Sequence, residues 1–190
     1  RVLTEVVSID SESKTISVRN VVSGETSTEH YDKLLLSPGA EPIRPPFEGI
    51  TSPKIFTLRN IADMDRIAEQ TVDKNDFVVV GGGFIGLEIA ENLIEKGKNV
   101  RLIELGTQVM APVDYEIASF VHNKAKEKGL KLLLNTGVEK FRDEEKFIKV
   151  FLNNGEILET EAVILAIGVK PETSLARNAG LEIGETGGIL

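Results

Sequence analysis

Glycines at positions 81, 83 and 86 are the first residues in this sequence whose spacing indicates chemistry. They belong to the run GGGFIG, which follows the apolar segment 77–81 and precedes a stretch with helical periodicity. Glycines in this order allow a tight turn, a close approach of the backbone to a diphosphate, and close packing of helix on strand. The helix N-terminus then offers unpaired N–H groups to the anion. The pattern predicts a dinucleotide diphosphate site, with a glycine turn that holds no ligand as the alternative.

A carboxylate stands where such a site meets the adenosine ribose. Glu104 lies near the end of a predicted strand at 99–105, eighteen residues after Gly86. A carboxylate there accepts hydrogen bonds from the ribose hydroxyls and repels a 2′-phosphate. No Arg or Lys follows in the next four residues, LGTQ. The sequence therefore predicts NAD(H) binding in preference to NADP(H), with a solvated acid at a strand end as the alternative.

Phe84 and Glu88 lie four residues apart on a predicted helix at 84–96, so they share one face of it. The residues alone leave two interpretations open: either Phe84 packs in the core and Glu88 is a surface acid, or both serve the site. The two histidines, His30 and His122, stand alone, and we interpret them as ordinary surface or half-buried residues. With two histidines and no cysteine, no metal site is predicted.

The elements around the glycine run predict an α/β fold with a parallel sheet. Strand 77–81, helix 84–96 and strand 99–105 form a βαβ unit of about 30 residues. After residue 129 the period changes from 3.6 to 2, which predicts a β-meander with Asn154-Gly155 as a hairpin turn. Further helices are predicted at 61–70 and from Asp114 to Lys128, and further strands at 130–134, 138–142, 146–152, 156–160 and 162–168.

The first forty residues repeat the end of this predicted domain. Residues 14–19 alternate as a strand, and 33–40 form an apolar run into glycine. A shift of 129 residues lays the run at 34–36 on Val163-Ile164-Leu165. We favour an internal duplication of a nucleotide-binding domain over a chance likeness of two antiparallel excursions before a buried strand. Four prolines in 41–53 indicate a linker.

Composition narrows the possible partners. A net charge of −8, from 30 acidic and 22 basic residues, argues against a broad nucleic-acid-binding face. No apolar run reaches the roughly 20 residues that cross a membrane, and no signal peptide opens the chain. The absence of cysteine excludes disulfides and thiol redox chemistry within these residues and favours a cytoplasmic location. The chain begins with Arg1 rather than Met, so we expect a fragment.

Four ordered segments carry a resemblance to a known family. They are LLLSPGAEP at 34–42, LRNIADMDRI at 58–67, GGGFIGLE at 81–88 and AIGVKPET at 166–173. Together they resemble the pyridine nucleotide-disulfide oxidoreductases, and most of all the branch of CoA-disulfide reductases, NADH oxidases and NADH peroxidases. The resemblance covers essentially the whole chain. In this family an FAD domain is split around an inserted NAD domain, and a dimerisation domain follows.

The resemblance implies a domain division and a set of site residues. Phe84 matches the family's aromatic residue that swings aside when nicotinamide stacks on the flavin, and Glu88 matches the acid that contacts the carboxamide. Gly168 matches the loop near the nicotinamide. The division is a flavin-domain tail at 1–40, with a β-meander and a closing strand at its apolar run 33–40, and a linker at 41–53. A Rossmann-like NAD(H)-binding domain at 54–169 follows, with three layers (parallel sheet, helices and β-meander), and a return segment at 170–190 leads back to the split flavin domain. The predicted catalytic residues are Phe84 and Glu88, and the predicted cofactor-binding residues are Gly81, Gly82, Gly83, Phe84, Ile85, Gly86, Glu88, Glu104 and Gly168.

The function implied is an NADH-binding module of an FAD-dependent oxidoreductase, which passes hydride from NAD(P)H to flavin to reduce CoA disulfide or a related acceptor. The family's FAD fingerprint, redox cysteine and flavin-contacting Gly-Asp motif are absent, so we expect FAD only in the full-length protein. We likewise expect the dimerisation domain and the homodimer only there, and an inactive fragment. The alternatives are an NADH oxidase or peroxidase of the same family, or a stand-alone, non-catalytic NAD-binding module. Oxygen, peroxide and polysulfide stay open as acceptors.

Overall fold

In a computed structural model, which describes residues 1–190, the chain folds as two compact units. The first contains Arg1–Glu41 and Lys170–Leu190, and the second contains Pro42–Val169. The strands are β1 (Thr4–Asp10), β2 (Thr15–Asn20), β3 (Thr26–His30), β4 (Ala40–Pro42), β5 (Ile55–Thr57), β6 (Asp76–Val80), β7 (Asn99–Ile103), β8 (Lys131–Leu133), β9 (Val138–Asp143), β10 (Ile148–Leu152), β11 (Ile157–Thr160), β12 (Ala162–Leu165) and β13 (Val169–Pro171). The helices are α1 (Ile61–Thr71), α2 (Phe84–Glu95), α3 (Tyr115–Glu127) and α4 (Ser174–Asn178).

A five-stranded parallel sheet is the centre of the second unit. Its strand order is β5-β12-β6-β7-β8, and every neighbouring pair is parallel. From β6 the chain continues to β7 and β8 on one side, whereas β12 and β5 lie on the other. The crevice between β6 and β12 is therefore the topological switch point, where folds of this kind bind ligands. The predicted α/β fold with a parallel sheet is confirmed.

The sheet lies between two different layers, because successive side chains of a strand point to opposite faces. On one face Phe77 and Val79 of β6 pack with apolar residues of the helices. On the other face Val78 and Val80 pack with the antiparallel meander β9, β10 and β11. Phe77, Val78 and Val79 are fully buried. This arrangement confirms the three predicted layers of helices, parallel sheet and meander.

The helix ends follow local capping signals. Asn60 is the N-cap of α1, and its side chain accepts a hydrogen bond of 3.0 Å from the N–H of Asp63. Gly97 follows α2 in the left-handed region, with φ of +76°, as expected of a glycine that ends a helix. Asp114 stands before α3 without a capping hydrogen bond from its side chain. The three predicted helices agree with the observed ones to within two residues.

The first unit contains a second antiparallel meander, with the strand order β1-β2-β3. The meander of the second unit, β9 to β11, also has its strands in chain order. The shift of 129 residues lays β4 on β13 and residues 33–36 on β12. The two meanders therefore lie at related positions in the sequence, and the internal duplication stays a prediction.

The strand predicted at 33–40 is wrong for most of its length. Only Ala40, at its end, lies in a strand, β4, and Leu35 is 88% exposed. The equivalent residues of β12 lie between two parallel neighbours, whereas residues 33–39 have no strand of this chain beside them. An apolar run becomes a strand only where a neighbour accepts and donates its backbone hydrogen bonds.

Several other boundaries differ from the sequence-based expectation. The strands predicted at 99–105 and 162–168 end at Ile103 and Leu165, so the residues after them lie in loops. The short strand β5 had no prediction. Most of the segment predicted as a linker at 41–53 belongs to the second unit, where Phe47 and Ile50 pack against the meander side of the core.

A partly buried ion pair joins the segment before β5 to the meander. Lys54 forms an ion pair with Asp143, and the Ser52 hydroxyl donates a hydrogen bond of 2.6 Å to the same carboxylate. Burial raises the pKa of Asp143, but the hydrogen bonds from Lys54 and Ser52 outweigh it and hold the pKa below its ordinary value. Stability from this carboxylate is therefore present above its unfolded pKa of about 4 and is lost as pH falls through the lower, folded value.

Replacing Asp143 should show this pH dependence. Asp143→Asn should lower the free energy of unfolding by about 1 kcal/mol at neutral pH, a modest loss because the side chain is 35% exposed and solvent screens its charge. The loss should shrink as pH falls below about 4 and should vanish once pH has passed the lower, folded pKa, where the native Asp143 is itself protonated. Urea unfolding at several pH values measures both, with the exposed Glu145→Gln as control. A loss that is the same at every pH would show that the charge of Asp143 does not stabilise the fold.

Candidate functional site

A cavity of about 720 Å³ lies at the carboxyl edge of the parallel sheet. Its walls are the loops that follow β6, β7, β8 and β12, which meet because the carboxyl ends of parallel strands share one edge. The wall residues from these four loops and strand ends are 80–85, 103–105, 136–138 and 165–169.

Gly81 and Gly86 allow three backbone segments to meet below the cavity. A Cβ on Gly86 would lie 2.0 Å from the carbonyl oxygen of Gly81, and a Cβ on Gly81 would lie 2.4 Å from the carbonyl oxygen of Ala166. Gly81 also has a φ of +108°, in the region that favours glycine. Because neither position has room for a side chain, α2 begins directly at the end of β6 and beside the loop after β12.

The first turn of α2 presents unpaired backbone donors to the cavity. Its first backbone hydrogen bond runs from the N–H of Leu87 to the carbonyl of Gly83, at 3.0 Å. The N–H groups of Phe84, Ile85 and Gly86 therefore lie outside the helix's own hydrogen-bond ladder. Nothing lies within 4 Å of a Cβ built on Gly83, and the first turn contains no acidic residue. The helix N-terminus is thus open to an anion.

Glu104 follows β7 directly, and its carboxylate is held by two backbone donors. One oxygen, Oε2, accepts a hydrogen bond from the N–H of Gly82 at 2.7 Å, and Oε1 accepts one from the N–H of Gly106 at 2.6 Å. Each carboxylate oxygen has a second acceptor position. The carboxylate lines the cavity and is only partly buried. It can therefore accept two more hydrogen bonds, as a vicinal diol would donate.

The structure separates the two predicted catalytic residues. Phe84 is 60% exposed, so it does not pack in the core. Phe84 and Ile85 line both the cavity and a groove between α1 and α2, whereas Glu88 lines only the groove. Phe84 and Glu88 share a face of α2 as the spacing predicts, but Glu88 does not line the cavity that holds Glu104.

Gly168 belongs to the loop after β12, the strand next to β6 in the sheet, and it lines the cavity on the same side as the glycine loop's neighbour Ala166. It has a φ of +108°, and its carbonyl accepts a hydrogen bond of 3.0 Å from the N–H of Ile43. Of the sequence-predicted cofactor residues, the cavity brings together Gly81, Gly82, Gly83, Phe84, Ile85, Glu104 and Gly168, whereas Gly86 packs on the backbone below it and Glu88 lies in the groove.

Sequence analysis did not predict the residues that form the cavity wall next to Glu104. Thr136 and Gly137 line the cavity there, and Asn153 accepts a hydrogen bond of 3.0 Å from the N–H of Gly137. A Cβ on Gly137 would lie 3.1 Å from Cδ1 of Leu105, so this wall is closely packed. The available signal was the run Asn-Thr-Gly at 135–137 after a predicted strand, since loops after parallel strands meet at one edge.

A comparison with known protein families shows to which family the chain is related. Residues 1–190 match the pyridine nucleotide-disulphide oxidoreductase family. The chain belongs to this family. The family resemblance drawn from the four sequence segments is therefore confirmed, and the family is one of oxidoreductases.

Individual relatives agree with this family. The chain is 36% identical over 188 residues to an NAD(P)H coenzyme A polysulfide/persulfide reductase of Pyrococcus horikoshii, with 97% of this chain and 41% of the relative covered. Among solved structures it is similar to reduced CoADR-RHD of Bacillus anthracis, with 46% identity, a TM-score of 0.92, and 98% of this chain and 34% of that one covered. It is also similar to a water-forming NADH oxidase of Lactobacillus brevis bound to NADH, with 30% identity, a TM-score of 0.88, and 97% and 41% covered. The chain thus spans less than half the length of these relatives.

No helix of the chain combines the length and the apolar character that crossing a membrane requires. The cytoplasmic location expected from the absence of cysteine stays a prediction.

Replacement by alanine should destabilise the fold at Gly86 much more than at Gly83. Gly86→Ala should lower the free energy of unfolding by about 3 kcal/mol, because its Cβ would meet a backbone oxygen that cannot move freely. Gly83→Ala should change it by less than about 1 kcal/mol, since its Cβ points into open space. Urea unfolding of both variants measures the difference. Equal losses would contradict the close approach of Gly86 to Gly81.

Proposed function

We propose that this chain is the NADH-binding module of an FAD-dependent pyridine nucleotide-disulphide oxidoreductase, and that it presents NAD(P)H to the flavin for reduction of CoA disulfide or a related acceptor. The observation that carries the proposal is that Glu104 and the open N-terminus of α2 line the same cavity at the switch point of the sheet. An acceptor for a diol and a donor set for an anion match the ribose and the diphosphate of one dinucleotide. The similarity to an oxidase described as bound to NADH supports the same assignment.

In this proposal, different residues bind different parts of the dinucleotide. The N–H groups at the start of α2 hold the diphosphate, and Gly83 leaves room for it. Glu104 accepts hydrogen bonds from the adenosine ribose, next to the wall made by Thr136 and Gly137. This assignment places the adenosine half against the loops after β7 and β8 and leaves the loops after β6 and β12 for the nicotinamide half.

The nicotinamide half is assigned to the region of Gly168 and Phe84. NADH, when bound, supplies the hydride. The exposed ring of Phe84 lines both the cavity and the neighbouring groove. We propose that Phe84 covers the nicotinamide position and swings aside from it, and that Glu88 reaches the carboxamide from the groove once it does.

The flavin is assigned to the full-length protein. Within residues 1–190, the only glycine-rich turn from a parallel strand into a helix joins β6 to α2. A second diphosphate site of this kind is therefore not formed by these residues. In this proposal the unit Pro42–Val169 is the NAD(H)-binding domain, and the unit of Arg1–Glu41 and Lys170–Leu190 is part of a flavin domain. The dimerisation domain and the homodimer likewise belong to the full-length protein.

Binding can be tested on the chain itself. The purified chain should bind NADH in a calorimetric titration and should lack the visible absorbance of flavin. Gly83→Ala should weaken NADH binding although it leaves the fold intact, because its Cβ enters the space assigned to the diphosphate. If the folded chain gives no heat of binding with millimolar NADH, the proposal is refuted. A stoichiometric yellow chromophore would refute the assignment of flavin to the longer protein alone.

Two alternatives to the CoA-linked acceptor stay part of the proposal. Similarity to a water-forming NADH oxidase favours oxygen or peroxide as the acceptor. A stand-alone, non-catalytic NAD-binding module is the other alternative. Assays of the full-length protein with CoA disulfide, polysulfide, oxygen and peroxide distinguish the enzymes, and failure with all four acceptors would favour the non-catalytic module.

Cofactor preference tests the assignment of Glu104. The chain should bind NADH at least about tenfold more tightly than NADPH, because a 2′-phosphate would meet the carboxylate and remove its hydrogen bonds. Glu104→Ala should weaken NADH binding and narrow the gap between the two cofactors. Calorimetry with both cofactors measures the ratio, and Glu145→Ala removes the same charge at an exposed position outside the cavity as a control. Equal dissociation constants in the unmutated chain would show that Glu104 does not face the ribose.

A further inference from the structure

A buried histidine joins α3 to the loop at residues 104–114. His122 is 7% exposed, and its Nε2 accepts a hydrogen bond from the N–H of Val109 at 3.1 Å. Val109 is itself fully buried. The interpretation of His122 as a surface or half-buried residue was wrong, because it lies one helical turn after Ala118, which is also fully buried, and so on the inner face of α3.

The residues that His122 holds are in contact with the glycine loop. A Cβ on Gly82 would lie 2.8 Å from Cγ1 of Val109, so this side chain packs directly on the Gly82 backbone. The N–H of Met110 donates a hydrogen bond of 2.8 Å to the carbonyl of Gly82. The N–H of Gly82 in turn donates to Glu104. Gly82 is therefore fixed between the loop that His122 holds and the carboxylate that lines the cavity.

His122 can act as an acceptor only while its Nε2 carries no proton. Burial, and then the nearby charge of Lys126, hold the pKa of His122 below its ordinary value. The imidazole is thus neutral at neutral pH, with its proton on Nδ1. The ring of Tyr115 meets the imidazole edge to face, with ring centroids 6.4 Å apart. The side chain is therefore fixed in place by its burial, by Tyr115 and by the hydrogen bond to Val109.

We propose that His122 is a positioning residue for dinucleotide binding, which holds Val109 and Met110 against Gly82 and thereby sets the distance between the glycine loop and Glu104. This inference rests on the proposed function and adds to it a residue that does not line the cavity. Without an acceptor the buried N–H of Val109 would seek water. The loop at 104–114 would then move away from Gly82, and the diphosphate and ribose positions would lose their fixed separation.

A pair of variants separates positioning from simple packing. His122→Gln carries its amide oxygen close to the position of Nε2, so it keeps an acceptor for the N–H of Val109. His122→Leu fills the same space without an acceptor. NADH should bind about tenfold more weakly to the Leu variant and within about twofold of the native affinity to the Gln variant. Calorimetry on the folded proteins measures both, and His122→Phe, which keeps an aromatic ring, replaces Leu if that variant does not fold.

Amide hydrogen exchange, measured without ligand, distinguishes the loss of the hydrogen bond to Val109 from a general loss of packing. The N–H groups of Val109 and Gly82 should exchange faster in the Leu variant and at the native rate in the Gln variant. If the Leu variant binds NADH as tightly as the native chain, or if Gln loses as much affinity as Leu, the positioning role of His122 is wrong while the proposed function stands. If the native chain does not bind NADH, the proposed function fails and this inference fails with it.

Discussion

The site depends on the contact between Gly86 and Gly81, where a helix meets a strand with no side chain between them. A Cβ on Gly86 would lie 2.0 Å from a carbonyl oxygen, so this approach is available only to glycine. It places the first turn of α2 at the end of β6, which is next to the crevice between β6 and β12. The open N–H groups of the helix and the loops after the neighbouring strands then share one cavity. Dispersed packing elsewhere could relax around a substitution, but this contact between backbone atoms cannot.

Electrostatics at the site is local and is largely preorganised. The chain has a net charge of −8, yet the proposed diphosphate position is made of backbone N–H groups, which net charge does not count. Glu104 is already fixed by the N–H groups of Gly82 and Gly106 before any ligand binds. A carboxylate held in this way pays little further side-chain entropy when it accepts hydroxyl donors. The hydrogen bond from Gly82 to Glu104 also connects the proposed ribose position to the glycine loop, so a shift of one of them should displace the other.

Two apolar segments that a shift of 129 residues lays on each other show how tertiary context decides whether a similar sequence forms a strand. Val163-Ile164-Leu165 forms a buried strand because β5 and β6 lie on either side and two layers cover its faces. Leu34-Leu35-Leu36 has the same apolar character, but it remains outside any strand of the chain, and Leu35 is exposed. Periodicity and composition cannot distinguish these cases, since both describe the segment and not its neighbours.

The residues by themselves determined the parallel α/β fold, the three main helices, and the strand–glycine–helix turn with Glu104 at the end of the next strand. These features are local: they depend on periodicity, on capping residues such as Asn60, and on glycines whose lack of a side chain is a property of the residue itself. Only the tertiary structure decided that Phe84 is exposed, that Glu88 lies in a separate groove, and that His122 is buried against Val109. Each of these depends on which distant segment lies beside the residue, and a single sequence carries no record of such contacts because they arise only when the chain is folded.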